Sequence, residues 1–376
     1  MLSGIKNIMK KILITDLKKQ YQNIKPEIDR AIFKVIKSQR FVLGPETEMF
    51  EKKFANFCGK KYALGLGSGT EALYLALMAI GLKRGDEVIV PAFTFGATAE
   101  AVSFLGGSLK FCDIDSKTGL IDTRDLKRKI SKKTKFVIPV HLYGQLAPID
   151  KISKIIQKKG IKILEDAAQA HGAKKKNKMA PIRTIAAYSF YPSKNLGAFG
   201  DAGAIVTSTK KAYKKALFLR NHGQKKSKKY YHYTVGGNFR IDEIQAAVLN
   251  VKLKYLNSFI KKRRVLAKIY DQQFSKIKEI KPLKTLADNY HVYHLYAIKA
   301  ERRNLLKKFL EKNKIESRVH YPIALHQQPA YKNLGYKKGD FPGAETLCQQ
   351  VLCLPLYPEL TKKEVLFITN KVKKFY

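Results

Sequence analysis

From about residue 62 to 208, short β-rich apolar runs alternate with stretches of helical periodicity, and that alternation constrains the fold more than any other feature of the chain. Strands are expected at 62–66, 87–90, 109–112, 136–140, 161–164 and 186–190, with helices at 71–80, 98–105 and 149–158 between them. Parallel neighbours need a crossover long enough to hold a helix. A strand–helix repeat therefore predicts a mostly parallel sheet with helices on both faces. In open sheets of that type a ligand sits beyond the carboxyl ends of the strands. The residues richest in chemistry fall there: Ser68 to Thr70 follow the first run, and Asp166 closes another.

After the segment 240–249 a long amphipathic helix is expected to about Phe274, then a strand near 290–297 and helices near 304–313 and 361–374. This mixture predicts a smaller α+β unit. The expected division is a large α/β domain over 1–245, N-terminal segment included, and a second unit over 246–376 that opens with the long helix. The run Ile12-Leu13-Ile14 looks strand-like, and Met9 just before it reads as the start of the chain.

With 376 residues, 45% of them hydrophobic, the chain can bury a large core. It has neither an apolar run long enough to span a bilayer nor a signal-peptide pattern at its start, which reads as cytoplasmic. Cys58, Cys112, Cys348 and Cys353 lack metal-ligand spacing and sit among apolar residues, as buried thiols do, so no metal site is expected. The formal charge of +43 raises the question of a nucleic-acid partner. Lysines spread along the whole chain, without interleaved stacking aromatics, argue instead for a general lysine bias with some attraction for anionic substrates.

Three segments carry chemistry. Gly67-Ser68-Gly69-Thr70-Glu71 is a glycine-rich turn between a strand and a helix, where free backbone N–H groups suit a phosphate. The second segment runs from Ile161 through Glu165 and Asp166 to His171: an apolar strand ends in paired carboxylates and enters small residues. Asp166 there can cap a helix, ligate Mg²⁺, or hold a pyridinium nitrogen protonated so that pyridoxal phosphate (PLP) acts as an electron sink. The third runs from Ser189 through Lys194 to Asp201, glycine-flanked and poor in other charges. A lysine buried in such a stretch loses proton affinity, and its neutral amine can attack an aldehyde.

In this order the three segments closely resemble the DegT/DnrJ/StrS family of sugar aminotransferases, and the resemblance covers nearly the whole chain. It includes Phe41-Val42-Leu43-Gly44-Pro45, Gly85-Asp86-Glu87-Val88, Val140-His141-Leu142-Tyr143-Gly144-Gln145, Asn221-His222-Gly223-Gln224, Gly237-Asn238-Phe239-Arg240 and His320-Tyr321-Pro322. The resemblance implies a fold type I PLP-dependent transferase, with a large mostly parallel α/β domain and a small C-terminal α+β domain. It implies that Lys194 holds the cofactor as a Schiff base and shuttles a proton, that Asp166 pairs with the ring nitrogen, and that Gln169 lies beside the phenolic oxygen. Phe95 would stack on the ring, while Gly69, Thr70 and Ser189 hold the phosphate with Asn238 from a partner subunit, which makes a homodimer. His222, Arg240, His320 and Tyr321 are candidate substrate contacts; His171 stays open between a site group and a core histidine.

The implied reaction moves an amino group from L-glutamate to a nucleotide-linked keto sugar for polysaccharide or glycan synthesis, with a 3-keto group favoured over a 4-keto group. Sugar dehydratases of the same family carry His at the lysine position, so Lys194 argues for amino transfer. A regulator that keeps the fold without catalysis is the alternative from another class. One departure stands out: the link 178–184 contains Pro181 where a glycine turn is expected.

Overall fold

The structure, a computed structural model, describes residues 11–225 and 227–376; the suggested start at Met9 lies outside the described residues. Seven strands form the main sheet: β1 (Tyr62–Leu66), β2 (Glu87–Pro91), β3 (Ser108–Cys112), β4 (Thr134–Val137), β5 (Lys162–Asp166), β6 (Ile185–Ser189) and β7 (Gly203–Thr207). Their spatial order is β1-β7-β6-β5-β4-β2-β3. Every pairing is parallel except those of β7, which runs antiparallel to both β1 and β6. The strand at 203–207 is absent from the expectations above. It follows β6 through the loop that carries Lys194, with no helix between them.

Helices α1 (Leu17–Ser38) and α2 (Pro45–Phe57) precede the sheet, and α3 (Gly69–Ile80), α4 (Ala97–Phe104), α5 (Thr123–Lys129) and α6 (Ile149–Ile156) make the crossovers between successive strands from β1 to β5. Of these, α3 is the most deeply packed: Ala72, Leu73, Leu75, Ala76 and Leu77 are all buried, as befits a helix apolar on nearly every side. The expected run 136–140 stops as a strand at Val137, because Pro139 has no N–H for the ladder; its carbonyl still accepts the Asp166 N–H at 3.0 Å.

The link that contains Pro181 opens on the second strand of a hairpin. Lys174–Lys175 and Lys178–Met179 form a short hairpin whose turn residues Lys176 and Asn177 take φ of 46° and 62°. Two left-handed residues make this tight turn just ahead of the 178–184 link, and asparagine tolerates that region better than most residues.

Following α7 (Lys210–Arg220), the chain reaches α8 (Glu243–Phe274), the long helix foreseen in sequence. Its first turns join Ala246, Leu249, Leu256 and Ile260 to the core behind β6. Its last turns place Leu266, Ala267, Tyr270 and Phe274 in a separate core with the strands Ile280–Pro282, Tyr296–Ala300 and Val351–Leu354. Ile12 belongs to that second core and bridges to Ile315, while Ile14, two residues on, joins the core of the large sheet.

The expected strand at 290–297 is two pieces. Asn289–Tyr290 pairs with Lys174–Lys175, and Tyr296–Ala300 joins the C-terminal sheet. Tyr293, at φ 46°, breaks the extended run between them. No helix of the described residues is long and apolar enough to cross a membrane.

Candidate active site

The carboxyl ends of β1, β5 and β6 and the amino end of β7 meet at one edge of the sheet. Here the turn Gly67-Ser68 delivers the chain straight into α3. Ser68 Oγ caps the helix by accepting the Glu71 N–H at 3.1 Å, and the first-turn N–H groups of Gly69 and Thr70 have no intrahelical acceptor. Ser189 lies directly opposite. A Cβ on Gly69 would fall 2.4 Å from Ser189 Cβ, and one on Gly203 would fall 2.2 Å from the Ser68 carbonyl oxygen. Only glycine permits strand ends to converge this closely. The result is a helix N-terminus with unpaired donors beside a hydroxyl, which is anion-binding chemistry.

Asp166 ends β5 and is 5% exposed. Its Oδ2 accepts the Thr98 hydroxyl at 2.8 Å and its Oδ1 the Ala168 N–H at 3.1 Å. Burial pushes the carboxyl above its ordinary value, while Thr98, Ala168, Lys194 and His141 pull it back. Sequence reasoning missed Thr98, which lies four residues after Thr94 at the start of α4.

Lys194 sits in the turn after β6, its N–H donating to the Tyr191 carbonyl at 2.8 Å. Desolvation lowers its ammonium to about 8 from 10.5, with the charge of Asp166 opposing the shift. The loop is anchored from the far side: Asn195 Nδ2 donates to the Val292 carbonyl at 3.1 Å.

Gln169, 6% exposed, accepts the Tyr143 N–H at 2.7 Å and points its amide nitrogen at Tyr321 Oη, 3.4 Å away. Phe95 is 59% exposed, and its ring centroid lies 6.0 Å from that of Tyr321. Tyr143 Oη donates to the His320 carbonyl, which ties the segment carrying His320 and Tyr321 to the same edge. His320 is held below the ordinary imidazole value by burial, and Arg318 and Lys194 add to that shift. His171 is fully buried against Tyr188 and Phe190 and falls to about 3, through burial first and Lys194 second. It is therefore a neutral core imidazole near the lysine.

The remaining candidates form a second group. Arg240 Nη1 donates to Asn221 Oδ1 at 2.6 Å, Asn238 bridges to Asn221, and His222 takes φ 56° and accepts the His232 Nδ1 proton at its carbonyl, 2.7 Å away. The segment 236–240, a strap that carries Asn238 and Arg240, is joined to the anion-binding turn by Gly67 N–H donating to the Phe239 carbonyl at 3.2 Å. Asn238 itself is exposed. All four cysteines are buried free thiols, and no cluster of potential metal ligands occurs among the described residues.

Residues 22–373 match the model of the DegT/DnrJ/EryC1/StrS aminotransferase family. A protein of Geobacillus stearothermophilus named as a pleiotropic regulatory protein is 41% identical over 96% of this chain and 97% of its own. The dTDP-3-amino-3,4,6-trideoxy-alpha-D-glucose transaminase of Streptomyces venezuelae is 38% identical over 96% of this chain and 95% of its own. The crystal structure of DesV from S. venezuelae, solved in complex with a ketimine intermediate, superposes with a TM-score of 0.95 at 38% identity and covers 97% of this chain and 98% of that one.

The donor set fits pyridoxal phosphate, the cofactor of this family. An anion-binding helix end, a buried carboxylate, an amine of lowered proton affinity and an exposed aromatic face converge where a flat phosphorylated aldehyde with a ring nitrogen needs them. The chain belongs to the DegT/DnrJ/EryC1/StrS aminotransferase family and is a PLP-dependent transaminase.

Proposed function

We propose that the enzyme moves an amino group from L-glutamate to the keto carbon at C3 of a nucleotide-linked sugar, on the way to a polysaccharide or other glycan. The observation that carries this reading is Lys194, a lysine at about 8 facing a buried aspartate at the carboxyl edge of the sheet. A meaningful fraction of its amine is neutral near physiological pH, so Nζ can attack a carbonyl and later take and return a proton. Asp166 offers its charge to a ring nitrogen, Gln169 its amide to a phenolic oxygen, and Phe95 a face for stacking. Gly69, Thr70 and Ser189 hold a phosphate. Bound PLP supplies the electron sink that stabilises negative charge on the substrate carbon. His222, Arg240, His320 and Tyr321 are assigned to the sugar nucleotide, and the 3-amino product named for the S. venezuelae relative favours C3.

The working unit in this reading is a homodimer in which Asn238 completes the partner's phosphate site. Exposed Phe41, Val42 and Phe199 support it. Val42 bridges to Asp242, the Glu243 N–H donates to the Phe41 carbonyl, and Gln245 accepts the Phe199 N–H, so these exposed apolar residues gather at the start of α8, a few residues after Asn238 in the chain.

The test is an absorption spectrum with added PLP, before and after L-glutamate, followed by nucleotide-linked 3-keto and 4-keto sugars with product identified by mass. A visible band that glutamate shifts and Lys194→Ala lacks, with amino sugar formed from the 3-keto compound, supports the reading. The name of the Geobacillus relative favours a second reading, a regulator without catalysis. A spectrum indifferent to glutamate would favour it here.

A further inference from the structure

We infer that Thr98 is a positioning residue for the site: its hydroxyl fixes the orientation of Asp166 and keeps that carboxylate ionised over the pH range in which the site holds PLP. The inference rests on the assignment of Asp166 to the cofactor's ring nitrogen.

Thr98 is 1% exposed, and its Oγ1 lies 2.8 Å from Asp166 Oδ2 and 3.3 Å from Thr94 Oγ1. A hydroxyl has one proton to give, and an ionised carboxylate can only accept. The Thr98 proton therefore points at Asp166, and the Thr94 hydroxyl supplies the bond that Thr98 Oγ1 accepts. With Ala168 N–H on Oδ1, both carboxylate oxygens receive donors, an arrangement that favours the charged form.

That support is needed because burial acts the other way. Asp166 is pushed up by desolvation, and Thr98 is the largest of the influences that lower it, ahead of Ala168, Lys194 and His141. The groups facing this carboxyl come from several elements. Lys194 follows β6, and His141 follows β4 and donates its backbone N–H to the Asp166 carbonyl at 2.9 Å. Tyr321 lies on the C-terminal side, its phenol raised by burial first and by the Asp166 charge second. Of all these only Thr98 donates a side-chain hydrogen bond to the carboxylate among the described residues. The connection from β2 to α4 carries Thr94 and Phe95, and the first turn of α4 carries Thr98, so the same few residues set the carboxylate's orientation and the aromatic face above the site.

The experiment measures the PLP dissociation constant by equilibrium dialysis as a function of pH for the wild type, Thr98→Val and Thr98→Ser. Loss of the hydroxyl in Thr98→Val is expected to move the acid limb of binding upward by roughly one to two pH units, because a hydrogen bond to a charged group is worth about that much. Thr98→Ser keeps the hydroxyl and is expected to keep the wild-type midpoint. Should Thr98→Val melt before it can be assayed, Thr98→Ala removes the same hydroxyl without the crowded γ-methyl. The inference is overturned if the hydroxyl-free variants bind with the wild-type midpoint, or if Thr98→Ser shifts as far as they do. Wild-type protein that binds no PLP at any pH overturns instead the assignment of Asp166, and this inference with it.

Discussion

His141 Nε2 lies 3.0 Å from Glu165 Oε2, and both side chains are wholly shielded from solvent. His141 Nδ1 already accepts the Ala147 N–H at 2.9 Å, so the ring proton belongs on Nε2, where it is donated to the carboxylate. Glu165 also accepts the Arg183 N–H at 2.7 Å. The pair thus ties the segment after β4 and the link before β6 to β5, immediately behind Asp166.

Glu165→Ala is expected to lower the stability of the cofactor-free protein by roughly 2–4 kcal/mol, since a buried imidazole N–H and the part-buried Arg183 N–H lose their acceptor at once. Denaturant unfolding reads this. A loss below about 0.5 kcal/mol would mean that water replaces the carboxylate without cost and that the pair does not hold the strands.

The pH dependence of Lys194 has a definite sign. Its folded value of about 8 lies below 10.5, so the amine is already mostly neutral above pH 8, where an ordinary lysine is still charged. The rate at which the protein captures PLP, followed by visible absorption, is expected to rise through pH 8 and flatten above it. A rate still climbing toward 10.5 would show an unperturbed amine. The linked effect on stability runs the same way: the unfolded chain binds the extra proton between these two values, so this group makes stability rise with pH across that window.

The sequence made Lys194 and Asp166 legible because each follows a clean apolar strand, and a charge at that position has few structural uses. The apolar runs located β1 to β6, and the strand at Gly203–Thr207 was missed, where β7 enters antiparallel after the lysine loop. Alternation over 290–297 looked like one strand since nothing in those residue types announces the left-handed Tyr293. Thr98 went unread for a different reason. Its meaning depends on a carboxylate 68 residues away, although two threonines four apart just beyond a strand end were a signal that their hydroxyls could meet at the site edge.

Gly69→Ala tests the anion-binding turn. The new methyl would meet Ser189 at 2.4 Å, and neither atom belongs to a flexible side-chain end, so the turn and β6 must part. The expected outcome is about 1–3 kcal/mol of lost stability and a PLP dissociation constant raised roughly tenfold or more. Inorganic phosphate is expected to protect the wild type against thermal unfolding and the variant much less. Equal protection of both would place the anion elsewhere.

The origin of Asn238 can be decided with mixed dimers. Neither Lys194→Ala nor Asn238→Ala chains alone form an intact site. If Asn238 serves the partner's phosphate site, a dimer of one chain of each kind combines the Lys194 of the Asn238→Ala chain with the Asn238 of the other. Such dimers, assembled from differently tagged chains and isolated with both tags, are expected to hold about half the PLP of wild-type dimers at wild-type affinity. If Asn238 serves its own chain, no site in the mixed dimer has both residues, and binding stays at the weakened level of the Asn238→Ala homodimer. The exposure of Asn238, with exposed Phe41, Val42 and Phe199 at the nearby start of α8, makes the first outcome the expected one.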